Sequence, residues 1–347
     1  MDIVTYNIIK VFTYIIYCIF IFISILSNKN IKGLSTICVL GFAVIYMFVF
    51  GNRDLEIGTD TRSYIENYNK ITQGVLSFEK TSDTIFYVLS YINNYIGFSN
   101  LNILLFIAFI FMFNVVLFSV KYGKYNSLYI LFSFVSCFFF YNLGTNILRQ
   151  GLAISFFLCS IAFFKNKTLK YLYFILTILS HISSVLIVGV YFLSKYLKIK
   201  TGVIIFIISI ILSFLKFDFK FIVNQIPFFQ RFLKYTDEDG YLASVYDVGF
   251  KPKFIVFNLF FLIIGLFIKK YIKFEDDNYD KILITFCLAS AIFFLSFNIP
   301  FSDRVGVYSW CLIPLIIFPI FSYKFKNMVN YRLAMFFILI IFFFAIQ

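Results

Sequence analysis

The interval GNRDLEIGTDTRSYIENYNKITQGVLSFEKTSD, residues 51–83, is the longest polar stretch of the chain and carries ten charged side chains. It lies between apolar runs at 34–50 and 101–120 whose composition suits membrane helices. In a chain this apolar, such an island is where water-facing chemistry can be done. The remainder reads as the frame that holds it at a membrane surface.

Composition supports that frame. With 61% hydrophobic, 23% aromatic and 14% charged residues in a 347-residue chain, it departs from the soluble norm of about half apolar and a quarter charged. The prediction is an all-α polytopic membrane protein, a single integral membrane domain over residues 1–347. A net charge of +13 would suggest nucleic acid in a soluble protein. Here the cations sit in short loops between apolar runs, where they set topology, and no nucleic-acid partner is expected. The six cysteines fall in or at the edges of apolar runs without C-x-x-C spacing, so they read as small core hydrophobes. The run at 8–27 is longer than a signal-peptide core and lacks an Ala-x-Ala-like site, which makes it an expected anchor.

Further apolar runs at 127–141, 147–164, 203–215, 254–268, 282–297, 307–321 and 333–346 are candidate spans, several of them short. The segment 84–96 carries Ser90, Asn93 and Asn94 and reads as an interfacial helix or half-span. The segment 171–193 has the lone histidine, His181, at its middle with Ser180, Ser183 and Ser184. With the N-terminus outside and 171–193 entering and returning as a hairpin bent near His181, seventeen of the thirty cations fall in six short inner loops. A single crossing there would export KKYIK at 269–273 and the basic residues of YKFKNMVNYR at 323–332. The hairpin is therefore preferred, giving about ten to twelve spans and two larger outer loops, at about 51–100 and 216–253.

This topology separates the two basic residue types. Arg53, Arg62, Arg149, Arg231 and Arg304 fall outside, whereas Arg332 is alone inside among sixteen lysines. Arginine presents a planar fork of donors that matches phosphate and carboxylate, so the outer arginines look placed for an anion. The second outer loop mixes aromatic residues such as Phe228, Tyr235 and Tyr241 with Arg231 and the acidic run at 237–239. Aromatic rings beside carboxylates suit carbohydrate.

Four groups stand out as candidates for chemistry. Asp60, Tyr64 and Tyr68 recur every four residues, so a helix beginning near Thr61 stacks them on one face. The plainer reading makes Asp60 an N-cap and the tyrosines an interfacial belt. Arg149 and Gln150 open a span from its outer end, where helix-terminal potential favours an anion, against simple snorkelling. His181 is an ionisable group near membrane depth. Arg304 and Tyr308 precede another span at the same outer level. Asp54 with Glu56, and the run 237–239, are acidic pairs of a kind common by chance, and no metal site is expected from them. P-loop, dinucleotide, zincin and serine-hydrolase motifs are missing from the sequence.

The run Arg53, Gly58, Thr59, Asp60, Tyr64 and Tyr68 spells an arginine followed by G-T-D-x-x-x-Y-x-x-x-Y. With the R-Q pair at Arg149 and Gln150, and H-x-S-S at His181, it resembles the EpsG family of polysaccharide-biosynthesis proteins, grouped with the Wzy-type polymerases of O-antigen and capsule. The likeness covers most of residues 1–310. It implies a glycosyltransferase of the bacterial plasma (inner) membrane, GT-C-like in architecture, with its active site facing the periplasm or outside. Such an enzyme joins undecaprenyl-diphosphate-linked oligosaccharide repeat units, moving the growing glycan onto a new repeat. Membrane lipid and a chain-length regulator are the further partners it points to, and it calls for no cofactor.

On that reading Arg149 and Arg304 receive the diphosphate, and Arg53 does the same or orders the loop. His181 and Asp60 are rival bases for the acceptor hydroxyl. Arg62, Tyr64, Tyr68, Gln150, Arg231 and Tyr308 complete the expected substrate contacts. A flippase of the same lipid-linked oligosaccharide would need polar groups along the span interiors, and an acyltransferase an inner donor site. The clustering of charge outside favours the polymerase.

Overall fold

The computed structural model describes residues 1–27, 32–78, 83–216, 248–272, 277–322 and 328–345, and among them every regular element is helical. The first two helices, α1 (Ile3–Ser27) and α2 (Lys32–Gly51), are apolar along their length. The Met1 amino group donates to the Asn52 carbonyl at 2.9 Å, and Asp54 N donates to the Met1 carbonyl at 2.9 Å. The start of α1 and the end of α2 therefore share one face, as two successive crossings require. Two shorter helices, α3 (Thr61–Thr72) and α4 (Thr84–Tyr95), fill the first loop, and α5 (Asn102–Gly123) follows. A β-carbon on Gly51 would lie 2.6 Å from Leu105 Cα, so only glycine lets α2 approach α5 this closely.

The apolar run expected as one span at 127–141 is two helices, α6 (Ser127–Val135) and α7 (Phe139–Thr145). Next comes α8 (Leu148–Ala162), bent from α7 by 116°. A β-carbon on Gly151 would sit 2.3 Å from the Leu143 carbonyl oxygen, so this sharp elbow requires glycine at that position. The sequence reading placed its one broken segment near His181. The structure has a break there too: α9 (Lys167–Ser180) ends at His181, whose φ of −157° and ψ of 118° are extended. A 3-10 turn over Ile182–Ser184 leads into α10 (Val185–Leu193).

The later helices are α11 (Ile199–Phe214), α12 (Pro252–Tyr271), α13 (Asp277–Leu295), α14 (Ser302–Trp310), α15 (Ile313–Ser322) and α16 (Met328–Ala345). By length and composition five helical stretches of the described residues suit a crossing alone, six if the bent α7–α8 pair counts as one, with shorter apolar helices beside them. This is a polytopic membrane protein.

Contacts divide the chain into two compact units, residues 1–188 with 320–347, and residues 189–319. Within each, hydrogen bonds between helices pair buried polar side chains, as a low-dielectric surround favours. In the first unit Tyr14 stacks on Phe343 with ring centroids 3.5 Å apart and shares a 2.9 Å hydrogen bond with Ser136. Asn114 donates to Ser155 at 3.2 Å, joining α5 to α8. In the second, the Asn258 amide of α12 donates to Ser290 of α13 at 2.9 Å and to Ser309 of α14 at 3.2 Å, and its carbonyl accepts from Trp310 Nε1 at 2.8 Å. One neutral side chain thus ties three helices together.

Candidate active site

The first loop is built around Arg53, whose side chain is buried. Its Nε donates to the Ile57 carbonyl at 3.3 Å, Nη2 to the Thr145 carbonyl at 2.8 Å and to Thr61 Oγ1 at 3.3 Å, and Nη1 to the Phe50 carbonyl. Gly58 turns the chain back with φ +90°; a side chain there would be strained and would crowd the Thr145 carbonyl at 3.1 Å. The turn delivers Thr61 to the start of α3, where the four-residue spacing predicts it. The Arg53 guanidinium is thus engaged by the carbonyls of Phe50, Ile57 and Thr145 and ties the first loop to α2 and α7. Burial lowers its pKa to about 10, so it keeps its charge at neutral pH.

Asp60 occupies the N-cap position of α3 but makes no side-chain cap bond. Asn146 Oδ1, from the elbow between α7 and α8, accepts from Asp60 N at 3.0 Å and from Thr59 Oγ1 at 2.8 Å. The loop and the elbow are therefore one construction. Tyr64 and Tyr68 face inward, both buried. Tyr68 accepts from Asn93 Nδ2 of α4 at 3.0 Å and acts as a strut between α3 and α4. Arg62 is exposed and pairs with Glu56.

The charged centre of the first unit is Asp83, which the sequence reading did not single out. It precedes α4 at the N-cap position, yet its side chain makes no cap bond. Its carboxylate reaches across the fold instead, with Oδ2 accepting from Arg149 Nη1 at 2.5 Å and Oδ1 lying 3.2 Å from His181 Nδ1. The three groups come from the end of the first loop, the first turn of α8 and the break after α9. The Asp83 side chain is 6% exposed, whereas Arg149 and His181 are 36% and 28% exposed. The carboxylate is sealed behind two groups that keep an open side. Arg149 also lies over the Tyr64 ring, 5.4 Å from its centroid, which fixes the guanidinium from below. Burial alone would raise the Asp83 pKa, but the His181 hydrogen bond and the Arg149 charge outweigh it and hold the carboxyl below its ordinary value.

The arrangement defines a proton position. An ionised carboxylate accepts only, so His181 Nδ1 carries a proton toward Asp83 and Nε2 is left for other partners. The cluster can take a proton at Nε2 and present guanidinium donors to an anion beside it.

Among the other expected residues, Gln150 is buried at the start of α8. Arg304 and Tyr308 belong to the second unit, with the Arg304 guanidinium 4.6 Å from the Phe301 ring centroid and Tyr308 buried. Arg231 and the acidic run 237–239 lie outside the described residues. Among the described residues no group of three or more His, Cys, Asp or Glu side chains is placed to hold a metal.

The model of the EpsG family matches residues 35–347. No curated protein and no solved structure matches the chain.

Proposed function

Because the chain belongs to the EpsG family, and so to the multi-pass membrane proteins of polysaccharide biosynthesis, we propose that it is a polymerase joining lipid-diphosphate-linked oligosaccharides. The observation that carries this reading is the joining of His181 and Arg149 through the single buried carboxylate of Asp83. A glycosyl transfer of this kind needs a base for the acceptor hydroxyl and a stabiliser for the departing diphosphate, and these two groups supply one each.

In the proposed reaction the acceptor hydroxyl oxygen forms a bond to the anomeric carbon of the donor glycan. The bond from that carbon to the diphosphate oxygen breaks, and its electron pair leaves with the diphosphate. The hydroxyl proton passes to His181 Nε2, and Asp83 stabilises the resulting imidazolium through Nδ1. Arg149 faces the oxygen on which negative charge grows, where a fixed guanidinium in a water-poor site lowers the barrier. The lipid on the diphosphate is proposed to be undecaprenol, and the reaction to occur at the outer face of the plasma membrane.

The test is incubation of purified full-length protein with a synthetic undecaprenyl-diphosphate repeat unit, followed by separation of products by chain length. Wild-type protein is expected to give a ladder. His181→Ala and Arg149→Ala are expected to leave single repeats, with losses on the order of a hundredfold or more. Ladders of normal length from both variants would remove the assignment. Loss of a flippase would instead hold the lipid-linked repeat on the inner leaflet.

A further inference from the structure

A second feature of the first unit is lined by none of Asp83, Arg149 and His181. A groove of about 550 Å³ opens beside the G-T-D turn, between α1, α3 and α7, within the range of about 300–1,000 Å³ typical of ligand sites. Its rim carries Glu56 and Arg62, which neutralise each other as an ion pair. Its interior carries Lys10, which has no carboxylate partner among the described residues. The Lys10 ammonium lies 4.4 Å from the centroid of the Tyr141 ring, which holds it in place on the groove wall. Tyr141 is 5% exposed, with its hydroxyl sealed inside the fold beside that of Tyr46, so it is the ring that meets the groove. Asn142 and Asn146 line the same wall with amides.

A lysine inside an apolar crossing helix is expensive and marks a site that handles charge. Its depth narrows the choice of ligand. From Ile3 to Lys10, α1 rises about 10 Å, so the Lys10 backbone sits about two turns from the face that carries Met1 and Asn52, and its stem leans back toward that face. A soluble anion would meet the rim first. An anion anchored in lipid is held at the headgroup level, beside the end of a crossing helix, with its polar substituent directed out toward the rim.

We propose that this groove is a separate subsite for a lipid-linked saccharide, in which Lys10 receives the lipid phosphate, the Tyr141 ring holds the ammonium in place, and the amides of Asn142 and Asn146 face the first sugar. The proposal rests on the polymerase reading, because a reaction between two lipid-linked glycans needs two places for a lipid phosphate. Arg149 serves one, and the Lys10 groove serves the other, the acceptor.

Equilibrium binding of a radiolabelled farnesyl-diphosphate-linked monosaccharide to purified full-length protein in detergent tests this without turnover. Wild-type protein is expected to bind two equivalents. Lys10→Met, which makes α1 more apolar and is checked for a monodisperse elution profile, is expected to bind one equivalent, with the lost site weakened at least tenfold. Lys10→Arg is expected to restore the second, and Arg149→Ala to lose the other one. The octyl glycoside of the same sugar, which lacks the phosphate, is expected to bind equally to wild type and Lys10→Met. Two equivalents on Lys10→Met would overturn the subsite and leave the Arg149 assignment standing. Absence of any binding to wild type would overturn both. Lys10-dependent binding of inorganic diphosphate as tight as that of the lipid probe would overturn the lipid source of the anion.

Discussion

Arg53 and Arg149 are both arginines at the end of an apolar helix, and they are held in opposite ways. Arg53 lies in a turn whose carbonyls engage its whole fork, and it is 4% exposed. Arg149 is held by one carboxylate and one aromatic face, and about a third of it stays open. An arginine whose donors are all turned inward is a fastener, and one held from a single side is equipped to meet a ligand. Residue type and membrane level do not separate the two. The partners do.

The largest effect expected from this contrast is on which property fails. Arg53→Ala strands several buried carbonyls, each at about 1–3 kcal/mol, and is expected to lose folded protein, read as yield and as thermal midpoint in detergent. Arg149→Ala leaves the Asp83 carboxylate with His181 as its remaining charged partner and is expected to lower the midpoint less than Arg53→Ala does, while abolishing polymer. Arg53→Lys is no rescue, because one ammonium cannot span the carbonyls of Phe50, Ile57 and Thr145. A folded, inactive Arg53→Ala protein would break the contrast.

Asp83→Asn comes next, since it keeps shape and removes charge. An amide in place of the carboxylate can no longer hold the His181 proton on Nδ1 as a charged acceptor does, and turnover is expected to fall by about 10²-fold or more. The same variant gives a pH signature. The Asp83 carboxyl lies below its ordinary value in the folded protein. Its contribution to stability is therefore present above the unfolded value of about 4 and is lost as pH falls through the folded value. Thermal midpoints from pH 7 down to pH 3 are expected to fall less steeply for Asp83→Asn than for wild type.

Gly151→Ala is expected to act on the elbow, where a β-carbon would press on the Leu143 carbonyl. The cost is of order 1–3 kcal/mol, with turnover reduced because the elbow aims Arg149. The smallest effect is expected from Arg62→Ala. Its pair with Glu56 is fully exposed, and the thermal midpoint should stay where it is.

How much of this was legible in the sequence depends on the range of each interaction. The start of α3 at Thr61 and the placement of Arg149 at a helix start follow from local spacing and from one residue's chemistry, and the chain break at His181 from the distribution of cations among the loops. Asp83 was hidden because an aspartate just before an apolar helix reads as its cap. Its actual partners stand 66 and 98 residues away. Its missing cap bond is visible only in three dimensions. The elbow was hidden for a related reason: the apolar run through α6 and α7 has the composition of one span, and only the tolerance for Gly151 against Leu143 allows the turn. Lys10 was read as part of an anchor, because nothing local distinguishes a lysine that snorkels from one that faces a groove.

The amide of Asn258 has a consequence for how the second unit is assembled in lipid. Hydrocarbon packs against hydrocarbon with little preference, so apolar helices in a bilayer can slide along one another. A slip of one turn in α12, α13 or α14 would leave this amide or its serine and tryptophan partners without hydrogen bonds in a medium that offers no water, at a cost of several kcal/mol. The junction thus works as a register pin, rejecting misaligned arrangements that greasy surfaces alone would accept.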